Sequence, residues 1–193
     1  MSNNTLLLVM DMVNDLIHPE GPNGEKGYGP EVKSRDIVTK TAAAIVKARA
    51  ADVQVGFVRI GFSPDYRECP PDSPIFSKAR EAGLFKLGTW GTEVHPDLGS
   101  HESDFDIVKH RVSPFYGTAL EPILLANGIG RLVMCGVSTN AVVQSGVREA
   151  HDRDYACVLL EDCCAALTAE EHELAIKSLS RFCTVATVAE FSF

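Results

Sequence analysis

Leu132-Val133-Met134-Cys135-Gly136-Val137-Ser138-Thr139-Asn140-Ala141-Val142-Val143 changes character twice. Residues 132–134 are apolar and read as a buried strand, which Gly136 stops. Hydroxyl and amide side chains follow at Ser138, Thr139 and Asn140, and a helical pattern begins. A strand, a tight turn and a helix in that order aim backbone N–H groups and a helix N-terminus at one point. An anion or a developing oxyanion is stabilised there. The first turn of the helix presents Val142, a side chain with no reactive group.

The same alternation extends outward in both directions. Strands are predicted over residues 5–11, 53–60, 106–109, 131–135, 155–160 and 183–188, most of them apolar runs of the kind buried in parallel sheets. Helices are predicted over residues 32–51, 118–126, 139–153 and 168–181 from apolar side chains at helical spacing. Asn127-Gly128 stops the second of these. The pattern predicts one domain over residues 1–193, an α/β fold of three α/β/α layers, Rossmann-like, around a six-stranded parallel sheet. Two connections exceed what a compact domain needs. Residues 12–31 are rich in Gly and Pro, and residues 61–105 contain Pro70-Pro71, Trp90 and His95-Pro96. Both leave the C-terminal ends of strands, where open parallel sheets bind ligands, and are expected to wall a small pocket.

In a parallel sheet one rim collects the last residue of every strand. Asp11 closes the first and Lys109 the third. A carboxylate behind a buried strand is costly unless paired. An Asp–Lys pair on a pocket floor can take or give a proton, and the same pair at a sheet edge can be purely structural. The other side chains suggest little chemistry. The six histidines are scattered without ligand spacing and are expected mostly at the surface, and Glu161-Asp162 is expected to cap a turn.

Composition limits the partners. The 193 residues are 45% hydrophobic and carry a net charge of −8, with no basic cluster, which argues against nucleic acid and anionic membranes. No apolar run approaches a membrane span, and residues 1–10 lack the basic start and cleavage site of a signal peptide. The six cysteines form no C-x-x-C pair. They read as reduced thiols of a cytoplasmic protein rather than a disulfide frame or zinc site.

Three motifs in order resemble those of the isochorismatase-like hydrolase superfamily, the cysteine hydrolases. Leu7-Leu8-Val9-Met10-Asp11-Met12-Val13-Asn14-Asp15 resembles the strand that supplies a catalytic Asp, and Asp11 matches it. Val13 departs from a frequent Gln. The segment from Lys109 to Thr118, with Phe115-Tyr116-Gly117-Thr118, resembles the one carrying the catalytic Lys, and Lys109 matches it. Gly136-Val137-Ser138-Thr139-Asn140 resembles the turn before the nucleophile. The resemblance implies a cis bond between Val137 and Ser138 and substrate contacts from that turn. It also suggests a pocket lined by Phe115, Tyr116, Trp90 and Phe62, and a homodimer or homotetramer.

The amidases of that superfamily carry a Cys six residues after the turn glycine, at the position of Val142. Thioester formation therefore lacks its nucleophile. Cys135 reads as a packed residue under the turn, and Ser138 as a backbone contact. Metal-binding members have His and Asp ligands after the second strand. Residues 59–66 contain no His, so neither metal nor other cofactor is expected. Isochorismatases proper also lack the Cys and cleave a vinyl ether by protonation and water addition, although the turn here stays closer to the carboxamide-hydrolase version. Two expectations follow. One is a hydrolase of a small vinyl ether, carboxamide or ureide, with Asp11 as acid, Lys109 orienting it and Val142 at the nucleophile position. The other is a catalytically silent relative that binds a small molecule or acts as an interaction protein.

Overall fold

The computed structural model describes residues 4–193. Six parallel strands form one sheet in the order β3-β2-β1-β4-β5-β6. They are β1 Thr5–Met10, β2 Gln54–Ile60, β3 Phe105–Lys109, β4 Arg131–Val137, β5 Ala156–Ala165 and β6 Thr184–Ala186. The helices are α1 Asn14–Ile17, α2 Gly29–Ser34, α3 Ile37–Ala50, α4 Ser77–Glu81, α5 Leu120–Ala126, α6 Gln144–Asp152 and α7 Ala169–Leu179. The chain runs from β1 through α3 to β2 in one direction along the sheet. It runs from β4 through α6 to β5 in the other. Right-handed crossovers therefore put α3 on one face and α6 on the opposite one. The order reverses between β1 and β4, and the crevice at such a switch point is where this kind of sheet holds ligands.

All six residues of β1 are buried, as a strand covered on both faces must be. Its register against β4 pairs Met10 with Gly136. Gly136 has φ 149°, and a Cβ there would collide with the Met10 carbonyl oxygen. Glycine is thus required where β4 presses on β1 at the end of the sheet.

Some boundaries differ from the sequence reading. The predicted helix over 32–51 is two helices, α2 and α3, because Asp36 takes a left-handed conformation (φ 53°) between them. Strand β5 continues to Ala165, with an irregularity in its pairing to β4 between Met134 and Gly136. Glu161 and Asp162 therefore lie within a strand instead of capping a turn. Their side chains find distant partners: Glu161 meets Arg35 at 2.8 Å, and Asp162 Oδ1 accepts from Val188 N–H at 3.0 Å. Strand β6 is shorter than the predicted 183–188. Helix 139–153 begins as a single π-helical turn, Thr139–Val143, before α6. Among the described residues no helix is long and apolar enough to cross a membrane.

Candidate active site

Asp11 leaves the end of β1 with φ 55°. Its N–H still donates to the Val58 carbonyl at 2.7 Å, so β2 holds the turn in place. The side chain then lies across the ends of β2 and β3. Oδ1 accepts from Ile60 N–H at 2.8 Å, and Oδ2 meets Lys109 Nζ at 2.8 Å. Lys109, the last residue of β3, also donates to the Arg111 carbonyl at 2.9 Å. Asp11 is 5% exposed and Lys109 2%. Burial pushes the Asp11 carboxyl above the usual carboxylate range, and the Lys109 ammonium and Ile60 N–H oppose that rise without cancelling it. The site therefore holds a carboxyl group that keeps its proton to higher pH than a solvated one, beside a cation that steadies its charged form.

The end of β4 forms the facing side. The Val137–Ser138 peptide bond is cis. Thr139 is fully buried, and its hydroxyl shares a 2.8 Å hydrogen bond with His172 Nδ1 from α7. His172 Nε2 lies 3.3 Å from Glu161 Oε2, and Arg35 bonds both that carboxylate and the Cys164 carbonyl. Burial, then the nearby Arg35, pushes the His172 imidazole below its usual range, against the pull of Glu161. The turn is thus tied to α2, β5 and α7. His172 and His95 are both buried, contrary to the surface placement expected of the histidines. Their scattered spacing hid partners supplied by other elements.

A cavity of about 340 Å³ opens between the two sides. Asp11, Lys109, Val137, Ser138, Ala141 and Val142 line its inner part. Val142 is 2% exposed and gives this part of the wall an apolar surface. Connection 12–31 adds Leu16, Asn23 and Tyr28 to the wall, and connection 61–105 adds Phe76, Ala79, Leu84 and Phe85 among others. The sequence indicated these connections as walls but gave no signal for their particular side chains. Short α4, which carries Ala79, arises only in the fold.

The four expected aromatic contacts are not part of the cavity lining. Phe62 is wholly buried one layer behind it, edge-on to Phe76, and Phe76 is the ring that reaches the cavity. Phe115 is buried against Tyr155 and under the Arg153 guanidinium. Tyr116 follows it but points outward at 68% exposure. Trp90, 44% exposed, packs edge-on to His18. No cysteine lines the cavity among the described residues either. Cys135 and Cys164 are fully buried and absent from the lining. The contact with Cys163, together with burial, holds the Cys135 thiol far above its usual range, and burial does the same to Cys164. Among the described residues no group of three His, Cys, Asp or Glu side chains is arranged to hold a metal ion.

Comparison with known proteins matches residues 5–190 to the isochorismatase domain. The chain is 33% identical over 191 residues to the isochorismatase family protein YecD of Escherichia coli O157:H7, covering 96% of this chain and 93% of that protein. It is 30% identical over 191 residues to the ureidoacrylate amidohydrolase RutB of Acinetobacter baylyi, covering 92% and 78%. Among solved structures, N-carbamoylsarcosine amidase from Thermoplasma acidophilum superposes with a TM-score of 0.77 at 28% identity, covering 98% and 99%.

Proposed function

Because the chain belongs to the isochorismatase family of hydrolases, we propose that it hydrolyses a small vinyl ether, ureide or carboxamide by proton transfer from Asp11, with no covalent enzyme intermediate. One observation carries this reading. The buried Asp11–Lys109 pair faces the same cavity as the apolar Val142, which supports acid–base chemistry without an attacking side chain. Relatives at 30% identity include a ureidoacrylate amidohydrolase, which supports the ureide end of the range.

In this reading the Asp11 carboxyl donates its proton to the bound substrate. Ile60 N–H and the Lys109 ammonium hold the carboxylate that results, at the two oxygens they already contact. Water adds to the activated carbon and returns a proton to Asp11. The C–O or C–N bond of the adduct then breaks as the added hydroxyl becomes the carbonyl. The hydroxyl proton leaves with the departing alcohol or amine, which closes the cycle. The turn at Val137 and Ser138 meets the substrate's polar atoms. The isopropyl group of Val142 takes the space of an attacking sulfur and leaves water as the nucleophile. General-acid assistance of this kind contributes on the order of 10²–10⁴-fold.

The test is turnover by the wild-type protein across vinyl ethers, ureides, carboxamides and esters. Turnover in one of these classes is expected, and none in any class would overturn the reading. A second reading, a binding protein with its chemistry switched off, draws on the continuous apolar surface that Val142 gives the wall. Val142→Cys separates the two. Amidase activity gained by this variant towards a ligand that wild type only binds favours the silent binder.

A further inference from the structure

The polar groups of the cavity fall into a buried set and a more exposed one. Asp11, Lys109 and Ser138 are buried at the inner end. Asn23 and Tyr28 are half-buried, and Lys78 is exposed. The rest of the lining is largely apolar and includes Leu16, Phe76, Ala79, Leu84 and Phe85.

The outer set is made for an anion. Among the described residues, three charged ones line the cavity: Asp11, Lys109 and Lys78. The first two are paired with each other, whereas the Lys78 ammonium has no ion-pair or hydrogen-bond partner among the described residues. The Tyr28 hydroxyl likewise has no partner there, and Asn23 spends one amide N–H on the Asp15 carbonyl at 2.8 Å. The mouth therefore offers an ammonium, a phenol O–H and an amide, with no carboxylate to compete for them. This occurs on a chain whose net charge is −8, so the positive mouth is a local departure from the overall charge.

We infer that Lys78 is a specificity-determining residue that anchors a carboxylate at the cavity mouth. The substrate class is then a small acid with an apolar middle, its reacting group at Asp11 and its carboxylate at Lys78. A single lysine with two neutral donors suits a planar, singly charged carboxylate better than a phosphate, which calls for more donors. The inference rests on the proposed hydrolytic site for the direction in which the substrate lies. It also says which members of a substrate panel should be favoured: those ending in a carboxylate.

Binding tests it without requiring turnover. Calorimetric titration of the whole chain at low salt compares 3-phenylpropanoate with its neutral isostere 3-phenylpropanamide. The acid is expected to bind about tenfold tighter, the worth of one charge-assisted hydrogen bond. Added salt should erode that ratio. Lys78→Met should bring the ratio towards one, and Lys78→Arg should keep it. Val142→Phe, which fills the inner cavity, should weaken both probes. Equal affinities in wild type, no binding of either probe, a ratio that survives Lys78→Met, or acid binding untouched by Val142→Phe would each overturn the inference. Its failure is separable from that of the hydrolytic reading. A protein that binds the acid through Lys78 yet turns nothing over keeps the anion subsite and loses the catalysis. Turnover of neutral substrates with no preference for acids does the reverse.

Discussion

The two sides of the cavity are built from the same material, the ends of parallel strands, yet they differ in character. On one side β1 and β3 end in Asp11 and Lys109, two opposite charges 2.8 Å apart and almost fully buried. On the other, β4 runs into a π-helical turn that presents Val142, equally buried and without chemistry. A buried ion pair is weak evidence for stability, because desolvation offsets much of its attraction. Its presence beside an inert wall is what the proposed proton transfer accounts for.

The charged side should be the more fragile of the two. Lys109→Met leaves the Asp11 carboxylate buried without its cation, and the expected loss is about 3–5 kcal/mol of stability at neutral pH, read by denaturant unfolding. The sign with pH follows from the direction of the Asp11 shift. Its folded pKa is already raised by burial and rises further once the lysine is gone. Stability of the variant should therefore be best at acid pH and fall as pH rises through that folded value. A flat profile would mean that solvent reaches the carboxylate.

Gly136→Ala acts on the junction between the two sides. The new Cβ meets the Met10 carbonyl at a backbone conformation suited to glycine. A loss of about 2–3 kcal/mol is expected, by the same unfolding measurement. A neutral result would show that β4 can withdraw from β1.

The smallest effect concerns the support behind the inert side. His172 has a folded pKa below its unfolded value, chiefly from burial. The unfolded chain therefore takes up the proton first as pH falls below about 6.5, the usual value for histidine. The stability contributed by neutral His172 is present above that pH and is lost as pH falls through the folded value. Replacing it by Gln, which keeps a hydrogen-bonding side chain for Thr139, should remove on the order of 1 kcal/mol of the decline between pH 7 and 5. An unaltered pH profile would show that His172 does not titrate with folding.

The fold was legible because its strands are long apolar runs that end in polar residues, so Asp11 and Lys109 could be placed on one rim from chain order. What stayed hidden depended on contacts between distant elements. Glu161 and Asp162 look like turn residues until Arg35 and the Val188 N–H are brought to them. The break at Asp36 interrupts a helical pattern that local spacing alone would continue. The ring that reaches the cavity is Phe76, while Phe62 supports it from behind. No local signal separates these two, since both belong to the same irregular connection.

The most direct test of proton transfer from the charged side is the turnover number of Asp11→Asn against wild type, on whichever vinyl ether, ureide or carboxamide the wild type hydrolyses. Circular dichroism would verify that the variant is folded. Asn keeps the shape and the acceptor for Ile60 N–H but has no proton to give. The predicted result is a fall in kcat of about 100-fold or more with the substrate still bound. A kcat within a few-fold of wild type would contradict it.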